Sequence, residues 1–90
     1  MHTTEKGLLT ILVVDDGGNT AEVEENAHAP LHQLLHKGLK ALYGEPAPKD
    51  DDYDLVVAGQ VQTDLGKTIA EAGIRDRAEV AILKKDMPRG

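Results

Sequence analysis

Residues 30–43 are the one long stretch of this chain with helical periodicity, and they carry a single apolar stripe. Leu31, Leu34, Leu35, Leu39 and Leu42 recur at three- and four-residue spacing. Pro30 suits the first helical turn, where a missing N–H costs nothing. Lys37 and Lys40 stand toward the C-terminal end, which the helix dipole favours for cations. Gly44 is a natural residue for leaving the helix and Pro46 a natural stop. One stripe needs one apolar surface to cover, and in a chain of 90 residues that surface is one face of one sheet. Gly38 sits inside the helix at a cost of about 1 kcal/mol relative to Ala, which predicts a close approach of helix to sheet at that point.

The strands of that sheet are readable on both sides of the helix. Residues 8–14 are nearly all apolar, with β-branched Ile11, Val13 and Val14. With Thr10 facing water, Leu9, Ile11 and Val13 share the other face. Asp15-Asp16-Gly17-Gly18-Asn19 is turn chemistry, and residues 20–24 alternate, with Ala21 and Val23 on one side and Glu22 and Glu24 on the other. This predicts a β-hairpin. After the helix, residues 45–52 form a Pro- and Asp-rich loop expected to be mobile. Leu55-Val56-Val57 is a short strand closed by Ala58-Gly59. Gly66-Lys67-Thr68-Ile69 is a polar turn leading into a one-turn helical patch that ends at Ile74, and Val80-Ala81-Ile82-Leu83 is the last strand, expected beside the first. The predicted core is Leu9, Ile11, Val13, Val23, Leu34, Leu35, Leu55, Val57, Ile69, Ile74, Val80 and Ile82.

Composition narrows the function. The chain reads as one domain, 1–90, with a flexible leader at 1–7 and a flexible tail at 86–90. It has no cysteine, so disulfides, thiolate metal sites and a cysteine nucleophile of its own are excluded; a cytoplasmic setting is compatible with this. No apolar run approaches a membrane span, and the first residues lack the apolar core of a signal peptide. A net charge of −6 and only Tyr43 and Tyr53 as aromatics argue against nucleic acid as a partner.

Several patterns with chemical potential resolve to plainer readings. Gly66-Lys67-Thr68 follows a strand as a phosphate loop does. However, six residues separate Gly59 from Gly66 where that motif requires four, so a polar turn is expected. His32 and His36 lie at i, i+4 with His28 one turn earlier, a spacing that can hold zinc. The residues between them include no catalytic carboxylate, and an exposed helix face without metal is expected. Asp50-Asp51-Asp52 and Asp15-Asp16 lack the alternation of calcium loops and read as solvated acidic runs. A domain of this size has no room for a deep cleft, and no enzymatic site or cofactor is expected.

Two features remain. On a period of two, Leu55 and Val57 face the core beside Val80 and Ile82, while Val56 and Leu83 point out on neighbouring strands. They form a small apolar patch of the kind that marks partner surfaces. After Leu83 comes a tail ending in Gly90. Its last five residues, 86–90, reach roughly 17 Å when extended, enough to thread a carboxylate into another enzyme's site. Glycine has no Cβ and leaves its carbonyl open to attack. Lys84, Lys85 and Arg89 make the tail locally basic on an acidic molecule and are the expected docking charges.

The order hairpin, helix, strand, helical turn, strand is that of an α+β β-grasp roll, a mixed sheet with one main helix on one face. Over residues 9–89 the chain resembles ubiquitin. The resemblance rests on Leu55-Val56-Val57-Ala58-Gly59, Gly66-Lys67-Thr68-Ile69, Ile74, Val80-Ala81-Ile82-Leu83, the basic Lys84-Lys85, and Gly44-Glu45-Pro46-Ala47-Pro48 after the helix. In style it is similar to the modifiers of bacterial conjugation operons. It departs from ubiquitin by one residue inserted near Asp64-Leu65, by Ala72 in place of a tyrosine, by Asp16 in place of the hairpin leucine of the binding patch, and by a single terminal glycine.

The resemblance implies a monomeric protein modifier that is not itself an enzyme. An activating enzyme would adenylate the Gly90 carboxylate and take it onto its own cysteine. A conjugating enzyme and an isopeptidase would complete the pathway to amines of target proteins. It places the partner surface at Val56 and Leu83. The other readings are a β-grasp binding module without conjugation and a sulfur carrier bearing a thiocarboxylate on Gly90.

Overall fold

The computed structural model describes residues 8–85. Its elements are β1 (Leu8–Asp15), β2 (Thr20–Asn26), α1 (Leu31–Tyr43), a single 3-10 turn (Asp50–Asp52), β3 (Tyr53–Val57), β4 (Gln60–Val61) and β5 (Glu79–Lys84). The five strands make one sheet in the order β2-β1-β5-β3-β4. β1 pairs antiparallel with β2 and parallel with β5, and β3 pairs antiparallel with β5 and β4. The last strand thus lies beside the first, and α1 carries the chain from one side of the sheet to the other. This is the mixed-sheet β-grasp fold of ubiquitin, with its helix on one face.

α1 presents Leu31, Leu34, Leu35, Gly38 and Leu39 to the sheet as buried residues. They meet Ile11, Val13, Val23, Leu55, Val80 and Ile82 from the strands, and Ile69 and Ile74 from the segment before β5 close the core. Gly38 is where helix and sheet come closest. A Cβ placed there would lie 2.5 Å from Ile82 Cδ1 and 3.2 Å from Val13 Cγ1, which accounts for a glycine where alanine is the better helix former. The expected core is present, but Leu9 and Val57 are only partly buried and pack at its margin, while Leu31 and Leu39 are fully enclosed.

The helix ends are satisfied by backbone. Pro30 is the residue before α1, in an extended conformation, one position earlier than the sequence suggests. Leu31 N–H donates to the Lys67 carbonyl (2.8 Å) and His32 N–H to the Leu65 carbonyl (3.0 Å), so the loop at 64–68 receives donors that a helix N-terminus leaves free. At the other end Gly44, at φ 80°, donates to the Lys40 carbonyl at 2.8 Å.

Three local features differ from expectation. The loop at 45–52 is tied down at its end by the 3-10 turn, and the Asp52 carbonyl accepts from Lys85 N–H at 2.8 Å. The patch at 68–74 is a series of turns, not a helix. Thr68 and Glu71 cap it reciprocally, Thr68 N–H to Glu71 Oε1 (2.9 Å) and Glu71 N–H to Thr68 Oγ1 (3.1 Å). Finally, Ala58-Gly59 is the tip of a second hairpin, with Val57 opposite Gln60 and positive φ at both tip residues. The strand that follows, β4, is only two residues long, too short for its alternation to register in sequence.

Candidate recognition face and tail root

With α1 on one face of the sheet, the opposite face has no covering element among the described residues. The register fixes what lies there. Val14 stands opposite Ala81, Ala81 opposite Val56, and Val56 opposite Val61. These four aliphatic residues form one row across four strands, about 14 Å long at the usual inter-strand spacing. Leu12 lies two residues from Val14 along β1, and Leu83 two residues from Ala81 along β5. Val56 and Leu83 therefore share the outward face, as diagonal neighbours: Leu83 is directly opposite Asp54. Leu12, Val14, Val56, Ala81 and Leu83 are half-buried by their neighbours in the sheet alone, and Val61 is 51% exposed. Sequence reading found Val56 and Leu83 but missed Val14, Ala81 and Val61. Alternation in β1 and β5 could have found the first two; Val61 needed the hairpin.

β5 leads from this row to the tail. Lys84 and Lys85 point to opposite sides of it. Lys84 Nζ sits 5.9 Å from the ring centroid of Tyr53, which itself lies 6.1 Å from Tyr43. Lys85 Nζ is 3.0 Å from Asp54 Oδ1, on the side of Leu83. Both side chains are exposed, so each contact is a surface pairing of small energy. Arg89 and Gly90, the remaining tail residues singled out by sequence, lie outside the described residues.

Asp15 corrects one sequence reading. It is not part of a solvated acidic run: alternation along β1 turns it inward, and it is 9% exposed. Its carboxylate accepts Gly17 N–H (2.8 Å), Asn19 N–H (2.9 Å) and Asn19 Nδ2 (2.9 Å), and Tyr43 OH donates to it at 2.5 Å. The Tyr43 and Asn19 hydrogen bonds hold the Asp15 carboxyl well below the usual carboxylate range. Burial and the neighbouring Asp15 carboxylate push the Tyr43 hydroxyl above its ordinary range. The hairpin turn is thus tied to the end of α1.

A second inward acid, Glu25, is 4% exposed; it accepts Gln33 Nε2 at 2.7 Å. Lys37 Nζ stands 2.8 Å from its other oxygen, outside hydrogen-bonding alignment, and also donates to the Glu24 carbonyl at 3.0 Å. The contact with Glu25 is accordingly an ion pair that stitches β2 to α1.

The other chemical candidates are structural. Gly66 N–H donates to Asp64 Oδ1 (3.1 Å) and Lys67 N–H to the Asp64 carbonyl (3.2 Å), so the loop turns carboxylates and carbonyls inward where a phosphate would need free donors. His36 Nδ1 lies 3.1 Å from Asp50 Oδ1, and among the described residues no three His, Asp or Glu side chains converge as metal ligands. No helix is long and apolar enough to cross a membrane among the described residues.

No family model matches the chain, and no curated protein sequence does. Solved structures do. Ubiquitin of Caldiarchaeum subterraneum superposes with a TM-score of 0.71 at 21% identity, covering 92% of this chain and 100% of that one. A de novo design based on ubiquitin superposes at 0.73 and 20% identity, covering 93% and 96%. At these identities the likeness establishes the fold: the chain has the ubiquitin β-grasp.

Proposed function

We propose that this chain is a ubiquitin-like protein modifier, a carried substrate and not a catalyst, working through the carboxylate of Gly90 in a cytoplasmic pathway of the bacterial conjugation type. A carboxylate does not acylate amines in water. It must first attack the α-phosphate of ATP, releasing pyrophosphate and forming an acyl adenylate on a separate activating enzyme. A cysteine thiolate of that enzyme then displaces AMP, and an amine of the target finally displaces the thiol to leave an amide. The protein supplies the acyl group and the surface by which each enzyme in the series, down to the isopeptidase, holds it.

The observation that carries this reading is the position of β5. Ala81 and Leu83 belong to the open apolar face, and the strand that carries them ends at Lys84, immediately before Lys85 and the tail sequence. An enzyme that grips Val56 and Leu83 thereby aims the tail, and binding at the face is coupled to delivery of the terminus.

The test is ATP-dependent pyrophosphate release with the cognate activating enzyme, comparing the chain ending at Gly90 with one ending at Arg89. The shorter chain is expected to be inactive at unchanged thermal stability. Equal activation of the two would overturn the modifier reading in favour of a binding module that uses the same face without conjugation.

A further inference from the structure

The open face is bordered by acids, and the register places them. Leu12 stands between Glu22 on β2 and Glu79 on β5, each directly opposite it in the ladder. On the far side of the Val14–Ala81–Val56–Val61 row, Asp54 lies opposite Leu83. Glu22 and Glu79 are exposed and, among the described residues, neither is in an ion pair. None of the strand residues on this face is a cation; Lys85, just past the end of β5, is already against Asp54. Lys37 and Lys40 lie beyond the β2 edge, on the helix side, and face Glu25 and Glu45. Arg75 and Arg77 precede β5, where Arg77 N–H donates to the Thr10 carbonyl at the Leu8 end of β1. The row therefore has an unpaired acidic border, Glu22 and Glu79, on one side and the Asp54–Lys85 ion pair on the other, on a molecule of net charge −6.

We propose that this face docks a basic amphipathic helix, with aliphatic residues along one stripe and lysine or arginine on the flank that meets Glu22 and Glu79. This rests on the reading of the face as the recognition surface and names its partner's chemistry. The other face of the same sheet already shows the mode, since α1 covers it with one leucine stripe. A second helix would complete a layered arrangement in which the sheet is covered on both sides. The band's length of about 14 Å corresponds to roughly ten residues of helix at 1.5 Å each. That accommodates apolar residues at i, i+4 and i+7 over Val14, Ala81 and Val56, with flanking cations toward Glu22 and Glu79. A second copy of this chain does not fit, because two such faces would oppose their acidic borders.

The experiment uses three designed helical peptides: leucines at i, i+4 and i+7 with lysine flanks, the same leucines with glutamate flanks, and the lysine peptide with its leucines changed to serine. Binding is measured by NMR titration of the full chain. The lysine–leucine peptide is expected to bind with shifts at Val14, Val56, Ala81 and Glu79, about tenfold tighter than the glutamate–leucine peptide. It is also expected to weaken at roughly 0.5 M salt, where screening is within a few ångströms. Glu22→Gln with Glu79→Gln should remove most of that preference, and Glu22→Lys with Glu79→Lys should reverse it; circular dichroism checks that each variant is folded.

Equal binding of the two leucine peptides, equal binding of the serine peptide, saturable shifts confined to the α1 side, no binding at all, or self-association of the chain in sedimentation would each overturn the proposal. None of these measurements involves Gly90 or ATP. If Val56→Arg abolishes binding of the leucine peptides but flank charge is without effect, the partner chemistry named here fails while the recognition face stands. If Val56→Arg has no effect, the face itself fails.

Discussion

On the covered face of the sheet, Ile11, Val13, Leu55, Val80 and Ile82 are at most 1% exposed. On the open face, the alternating residues of the same strands, Leu12, Val14, Val56, Ala81 and Leu83, all keep part of their surface in water. Both sets are aliphatic, so residue type does not distinguish them. The difference is α1, whose leucine stripe completes burial on one side only. In-sheet neighbours cover most of these side chains, and the rest requires another layer. Stability is concentrated on the face that has that layer, and the surface left over on the other face is what a partner can still bury.

The largest test of this contrast is truncation on the two sides of one strand. Leu55→Ala should destabilise by about 2–5 kcal/mol, a large part of the total for a small domain. Val56→Ala, its neighbour on the open face, should cost about 1 kcal/mol or less, since its methyls are already partly hydrated. Denaturant midpoints at constant slope measure both. Similar losses at the two positions would mean that the faces are not energetically distinct.

Enlargement gives the opposite sign of test. Gly38→Val should destabilise by about 1–3 kcal/mol, because its Cβ must displace Ile82 and Val13 in a filled core. Ala81→Val, on the open face, should lie within about 0.5 kcal/mol of the parent, since nothing stands over it and β-branching suits a strand. Thermal unfolding of the pair is the measurement.

How legible these features were follows from the kind of signal each leaves. The leucine stripe, the hairpin and the alternation in β3 and β5 are local patterns, and they sufficed for the β-grasp, for the close approach at Gly38 and for the outward direction of Val56 and Leu83. The row across the sheet is a property of register between strands far apart in sequence, and Val61, on a two-residue strand, was not visible as a member of it. Asp15 was misread as solvated because a run of two acids next to two glycines looks like loop. Its partner, Tyr43, lies at the far end of the helix and cannot be paired with it from spacing. The role of Glu25 depends likewise on Gln33 and Lys37 arriving from α1.

Tyr43→Phe probes that tie at the border between the faces. It should cost about 1 kcal/mol, as one hydrogen bond to a charged group near the surface does. The Asp15 carboxyl titrates well below its ordinary value in the folded state, so its contribution is present above about pH 4. That contribution is lost as pH falls toward the folded value, because the unfolded chain takes up the proton first. Tyr43 titrates above its ordinary value, so stability should also decline as pH rises past about 10. Asp15→Asn should flatten the acid limb, and Tyr43→Phe should soften both. An acid limb unchanged by Asp15→Asn would place the titrating carboxylate elsewhere.

The smallest expected change in stability comes with the largest expected change in binding. Val56→Arg and Leu83→Arg each put a long cation on the open face, where its stem can lie along neighbouring aliphatics and its head can stay in water. Circular dichroism and the denaturant midpoint should move by no more than about 1 kcal/mol. Under the proposed function, binding to an activating enzyme should fall steeply, because an arginine at the centre of an apolar contact must be desolvated without a partner. The two substitutions are not equivalent. Leu83 lies opposite Asp54, so an arginine there can pair with that carboxylate and displace Lys85. An arginine at position 56 is opposite only Ala81 and Val61 and has no acid directly across from it. Val56→Arg should therefore be the more damaging of the two to binding. Unfolding by either one would mean that β3 and β5 are displaced by a residue, since a one-residue slip exchanges the covered and open faces.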